Sequence, residues 1–260
     1  MIKLIKKVYR RICLLFLKGR IRRKERIFTA SNGVPVTYYY QPRAGADTLV
    51  VVFSGFSPMG TPPRYNMVYT LQHVKASCLF ILDSFGYEKS GAYYLSENGS
   101  FAVSCAVSQL IEQFSFEKTV FCGSSKGGTA ALYFGLKHRC DLVVSGAPQC
   151  FIGSYLVSKE SHFPILDAMA GDHSEATVRQ YDALLPDMIS TAGAADKTAV
   201  LLHYSKQEHT YHDHIEKMIA LLQESGYTLY HDEAAYQKHS EVSAHFPQVC
   251  RNAVKAYLKK

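Results

Sequence analysis

Ser125 lies in the stretch Cys122-Gly123-Ser124-Ser125-Lys126-Gly127-Gly128, whose inner residues Gly123 to Gly127 fit G-x-S-x-G. That spacing suits a sharp turn that lifts a serine hydroxyl above the end of a sheet. The glycines let strand and helix pass close together there. The flanks agree, with the apolar run Thr119-Val120-Phe121 before it and a helix-like segment from Thr129 to Lys137 after it. A bland alternative is a glycine-rich strand-to-helix turn, since the chain holds 17 glycines. A Walker-type phosphate loop is a poor fit, because no G-x-x-x-x-G-K-[ST] is present.

A serine hydroxyl is a weak nucleophile at neutral pH. It needs a base within hydrogen-bond reach, and the base needs an orienting acid. On folds with such an elbow the chain order is serine, acid, histidine. After the apolar run Ala199–Tyr204 comes Ser205-Lys206-Gln207-Glu208-His209, where Glu208 is the only carboxylate; Asp213 is the reserve. The base is expected after the last strand, which points to His239 in Gln237–Glu241, with His245 and His231 as competitors. Two backbone N–H groups must receive the oxyanion. One belongs to Lys126, directly after the serine, and the other to the loop near Gly55 and Phe56. The Lys126 side chain is either a salt-bridged surface lysine or a reach toward substrate.

These residues need elements to carry them. Leu49–Phe53, Cys78–Leu82, Thr119–Phe121, Leu142–Ser145 and Ala199–Tyr204 are continuous apolar runs of strand length, as suits strands covered on both faces. Val34–Tyr40 and Tyr227–His231 read as further strands. Helices are predicted over Tyr65–Lys75, Phe101–Phe114, Tyr211–Ser225 and Phe246–Leu258, and two short ones near Ser174–Ala183 and Leu185–Thr191. Alternating strands and helices mean a mostly parallel sheet with helices on both faces. Function then sits beyond the carboxyl ends of the strands, where every candidate above falls. The expected organisation is a basic helical segment over 1–28 and an α/β domain over 29–260, with 149–197 as a cap insertion.

Charge is unevenly placed. Residues 1–26 hold 11 Lys/Arg and one Glu, a net +10, while the remainder carries −3 within a total of +7. A mildly acidic body argues against nucleic acid as a partner. Over 2–18 an apolar stripe (Ile5, Val8, Tyr9, Ile12, Phe16) faces a basic side, followed by Arg20-Ile21-Arg22-Arg23-Lys24. The apolar run is too short to span a bilayer, so the expectation is an anionic membrane surface; the alternative is a helix packed on the body. The seven cysteines are scattered without a C-x-x-C pair, which suggests reduced thiols and a cytoplasmic protein, peripheral on the inner face of the membrane. His203, His209, His212 and His214 lack a cysteine grid, and solvent-facing histidines are expected there rather than a metal site.

Gly123–Gly128, Gly91-Ala92-Tyr93-Tyr94-Leu95-Ser96-Glu97-Asn98-Gly99 and Ser145-Gly146-Ala147-Pro148 together resemble the hydrolase-fold domain of the accessory Sec system glycan O-acetyltransferase component, over about residues 34–258. The resemblance implies an α/β-hydrolase fold and a Ser, Glu and His triad falling on Ser125, Glu208 and His239. It further implies acetyl transfer to the sugars of a glycoprotein or surface polysaccharide, within an envelope assembly that includes protein partners. In place of that family's large N-terminal region this chain has the short basic helix. No resident cofactor is expected, only an acyl donor such as acetyl-CoA. Tyr87, Tyr93, Tyr94 and Tyr155 surround the expected mouth, and Tyr93 and Tyr94 are the candidates for stacking on sugar rings. Two other functions compete: a non-catalytic scaffold, against which the intact Ser-acid-His order weighs, and a small-ester or lipid esterase at the membrane surface, against which the lack of a long apolar lid weighs.

Overall fold

The computed structural model describes residues 14–57, 60–192 and 198–259. Eight strands form one sheet: β1 (Glu25–Thr29), β2 (Pro35–Gln41), β3 (Thr48–Phe53), β4 (Ser77–Ile81), β5 (Lys118–Ser124), β6 (Leu142–Gly146), β7 (Ala199–Tyr204) and β8 (Thr228–Glu233). Their order is β1-β2-β4-β3-β5-β6-β7-β8. β2 runs antiparallel to both its neighbours, and all pairs from β4 to β8 are parallel.

The continuous apolar runs are explained by burial on both faces. Along β3, Leu49, Val51 and Phe53 enter one core with Phe121 and Val143, while Val50 and Val52 enter the other with Val120, Cys122 and Val144. Each fully buried aliphatic side chain contributes about 1.5–3 kcal/mol relative to exposure. The second core is closed by α9 (Val242–Tyr257), which buries Val242, Phe246, Cys250 and Val254 at a spacing of four. The first is covered by α3 (Ala102–Glu112), α4 (Lys126–Lys137) and α8 (Glu216–Glu224). Between β6 and β7 stand α5 (Ile152–Val157), α6 (Phe163–Ala170) and α7 (Glu175–Ala192), with Tyr181, Leu185 and Ile189 of α7 buried in that core.

Several expectations change. The helix expected over Tyr65–Lys75 shrinks to α2 (Val68–Leu71). The two short helices expected near Ser174–Ala183 and Leu185–Thr191 are one, because α7 continues through Pro186. At the N-terminus α1 covers residues 14–24, and residues 1–13 of the expected amphipathic stripe lie outside the described residues. α1 packs on the second core through Leu17 and Ile21. Phe16, assigned to the apolar stripe, faces outward at 75% exposure, away from that core. Glu25–Phe28, assigned to the N-terminal segment, belong to edge strand β1 of the sheet. Among the described residues no helix is long and apolar enough to cross a membrane.

Candidate active site

The turn from β5 into α4 holds Ser125 at φ 55°, ψ −130°. A non-glycine residue pays about 1–3 kcal/mol for such backbone, and the surroundings enforce it. Ser125 N–H donates to Gly146 O at 2.7 Å, while Ser125 O accepts from Gly128 and Thr129 N–H at 2.7 and 3.0 Å. The motif glycines are close-approach positions. A Cβ on Gly123 would lie 2.1 Å from Gly127 O, and one on Gly127 would lie 2.4 Å from Phe53 O.

The loops after β7 and β8 meet over this turn, because neighbouring parallel strands lie under about 5 Å apart. His239 Nε2 is 2.7 Å from Ser125 Oγ, and His239 Nδ1 is 2.5 Å from Glu208 Oε1. Glu208 also accepts the Thr210 hydroxyl at 2.5 Å. Burial raises the Glu208 carboxyl, but the bonds from His239 and Thr210 outweigh it and hold the group below its ordinary value. An ionised Glu208 takes Nδ1–H and leaves Nε2 to accept the serine proton. His239 opens a 3-10 turn, His239–Glu241, rather than lying in a free loop. Glu241 Oε2 fixes that turn by accepting Gln237 and Lys238 N–H at 3.0 and 2.9 Å. Ser125, Glu208 and His239 are therefore brought together. The alternatives are not: Asp213 is exposed, His231 bonds Tyr204, and His245 stacks on Tyr236.

Ser125, His239, Gly55 and Phe56 line a cleft of about 440 Å³ whose rim adds Asn66 and Tyr155. Lys126 opens α4, where first-turn N–H groups have no intrahelical acceptor. Its side chain is neither a surface lysine nor a reach into the cleft. Lys126 is fully buried, paired with Asp83 at 2.6 Å. Burial pushes the ammonium below its ordinary value against the opposing pull of Asp83.

Tyr93 and Tyr94 are corrected as substrate-stacking residues. Both are fully buried, with Tyr94 OH accepting Ser54 N–H at 2.6 Å and donating to Ile81 O at 3.0 Å. Of the other tyrosines, Tyr155 lines the cleft and Tyr87 is partly exposed. His203 and His214 are buried rather than solvent-facing. Among the described residues no cluster of His, Cys, Asp and Glu could hold a metal. Sequence reasoning missed Gln149. Its fully buried side chain places Nε2 3.4 Å from Ser125 Oγ and 3.5 Å from His239 Nε2, while Oε1 accepts the Tyr93 hydroxyl at 3.3 Å. A lone glutamine after a strand carries no pattern that could have found it.

An elbow serine at the carboxyl end of a mostly parallel eight-stranded sheet defines the α/β-hydrolase fold, and solved structures similar to this chain share it. The capsule O-acetyltransferase of Neisseria meningitidis serogroup A, in a histidine-to-alanine variant bound to CoA, superposes at TM-score 0.73 with 20% identity, over 90% of this chain and 99% of that one. The Glycosylation Associate Protein (Gap123) complex from Streptococcus agalactiae follows at 0.71 and 18%, over 89% of this chain and 46% of that one. The fluorophosphonate-binding serine hydrolase FphF of Staphylococcus aureus gives 0.63 and 14%, over 88% and 95%. No family model and no curated protein matches the sequence.

Proposed function

We propose that this chain is a serine acyltransferase that moves an acetyl group from an acyl thioester onto a sugar hydroxyl of a surface glycan or glycoprotein. The observation that carries the reading is the Ser125–His239–Glu208 relay opening on a cleft. His239 Nε2 takes the Ser125 proton as Oγ bonds to the acyl carbon. The N–H groups of Lys126 and of the Gly55–Phe56 loop receive the oxyanion. Collapse breaks the carbon–sulfur bond, and His239 returns the proton to the departing thiolate. A sugar hydroxyl then attacks the acyl-serine, giving its proton to His239; collapse breaks the bond from the acyl carbon to Ser125 Oγ, and His239 returns the proton to Oγ. The rim suits a hydroxylated acceptor, since Ser57, Ser90, Asn66, Ser161, Ser240 and Ser243 all line it. A thioester donor is supported by the CoA-bound neighbour.

Intact-mass spectrometry after incubation with acetyl-CoA tests this. Wild type should gain one acetyl group at Ser125 and lose it when an oligosaccharide acceptor is added, and Ser125→Ala should gain none. Acetylation that persists in Ser125→Ala would overturn the assignment.

We also infer that an anionic membrane surface holds the enzyme. α1 packs inward through Leu17 and Ile21 and leaves Leu15 67% and Phe16 75% exposed. Lys18, Arg22 and Arg23 flank them, also exposed, and Ile27 on β1 is 67% exposed. Apolar side chains among basic ones suit an anionic headgroup layer, each basic residue contributing about 1 kcal/mol. Leu15→Ser with Phe16→Ser leaves the packed face intact and should weaken co-sedimentation with phosphatidylserine vesicles. Equal binding by wild type and this variant would reject the idea.

A further inference from the structure

A buried ion pair lies beneath the elbow, and the proton relay does not use it. Lys126 Nζ and Asp83 Oδ2 are 2.6 Å apart, each side chain 1% exposed. The same Asp83 oxygen accepts the N–H groups of Ala92 and Tyr94 at 2.9 and 3.1 Å. The ammonium also sits 5.1 Å from the ring centroids of both Phe56 and Tyr94. Tyr94 in turn holds Ser54 N–H through its hydroxyl. At Gly91, φ +112°, a Cβ would fall 1.9 Å from Lys126 Nζ, so the backbone of the loop after β4 closes directly over the pair.

Burying two charges is a poor route to stability, since apolar side chains of the same volume do as well or better. What the pair does is join three segments. The lysine comes from the residue whose amide is one oxyanion donor. The ring it seats belongs to Phe56, from the loop that supplies the other donor. Asp83 and Tyr94 come from the segment that brackets both. Between β3 and α2 the described residues of that loop form no regular element to hold it. A displacement of about 1 Å in such a site costs about a hundredfold in rate.

We propose that Lys126 is a positioning residue whose ammonium, held by Asp83 and seated between Phe56 and Tyr94, sets the spacing of the two amides that receive the oxyanion. The proposal rests on the reading of Ser125 as the acylated nucleophile. A trifluoromethyl ketone tests it, because its adduct with a serine places an anionic oxygen in the hole. The protein to compare with wild type is Lys126→Met combined with Asp83→Asn, a neutral pair of nearly the same shape. The double variant should melt within a few degrees of wild type and keep its KM for p-nitrophenyl acetate. Its kcat and its affinity for the ketone should both fall about a hundredfold. A double variant that folds and keeps both values would reduce the pair to a structural contact and overturn the proposal. Should the double variant fail to fold, Tyr94→Phe frees only the Ser54 end of the loop. The same split between kcat and KM is expected there, and its absence overturns the proposal. Failure of the underlying reading looks different: wild type itself would resist the ketone and form no Ser125 adduct.

Discussion

Two histidine–carboxylate pairs stand at the ends of β7 and β8, and they differ in everything but their parts. His239 and Glu208 meet at 2.5 Å from loops beyond the strands. His203 and Asp232 meet at 2.6 Å as register partners within them. Glu208 is 1% exposed and Asp232 43%. The free nitrogen of His239 reaches Ser125, whereas His203 Nε2 has no hydrogen-bond partner among the described residues. Its ring packs among Phe246, Tyr236 and His245. Sheet register alone accounts for the second pair. A carboxylate at one ring nitrogen only orients a histidine; chemistry needs a nucleophile at the other nitrogen and a cleft beside it.

Substitutions at the two carboxylates should separate the pairs most sharply. Glu208→Gln keeps the shape but loses the charge that selects the tautomer and stabilises the imidazolium, and phosphonylation of Ser125 by a fluorophosphonate should slow about 10⁴-fold. Asp232→Asn should leave the rate within a few-fold, and so should Asp213→Asn. A crippled Asp232→Asn beside a nearly normal Glu208→Gln would exchange the roles of the pairs and sink the relay as drawn.

Gln149 sharpens the comparison from the other side, because among the described residues no side chain bonds His203 Nε2. Gln149→Leu removes the amide beside Ser125 Oγ and leaves the Tyr93 hydroxyl without its acceptor. One such bond is about 1 kcal/mol, so kcat for p-nitrophenyl acetate should fall about five- to tenfold. An unchanged kcat would make Gln149 a wall and not a participant.

These residues also mark what the chain makes legible. The elbow is local: strand, glycines and serine follow one another, and sterics at Gly123 and Gly127 demand that composition. Glu208 and His239 are distant in sequence, but the order of elements on a parallel sheet places them. Tyr93 and Tyr94 were misread because a tyrosine among glycines resembles a loop tip; here backbone groups satisfy the Tyr94 hydroxyl deep inside. β1 escaped notice because Glu25-Arg26-Ile27-Phe28-Thr29 is short, and its charged, mostly exposed residues suit an edge strand better than an apolar run. α7 looked like two helices because a proline interior to a helix ordinarily ends it, and burial of Tyr181, Leu185 and Ile189 along one face holds it whole.

The smallest effect expected concerns histidines that belong to neither pair. His214 is buried beside the cleft wall, where its Nδ1 accepts Phe151 N–H at 3.3 Å. Burial brings its pKa from 6.5 down to about 4, against the opposing pull of Asp213 and Asp182. His138, packed against Phe121 and Phe134 of the first core, is likewise brought down to about 4, first by burial and then by Lys137. The unfolded chain takes up both protons as pH falls through about 6.5, and the folded chain declines them until about 4. Their contribution to stability is therefore whole above about pH 6.5 and is lost progressively as pH falls toward 4. Each proton adds about 1.4 kcal/mol per pH unit to the slope of unfolding free energy in that window. His214→Gln keeps an acceptor for Phe151 N–H and should leave the urea midpoint at pH 7.5 nearly unchanged. Between pH 6 and 4.5 it should flatten the slope by one proton. A slope identical to wild type would mean that His214 is already protonated in the folded protein, and the neutral acceptor assigned to it would be wrong.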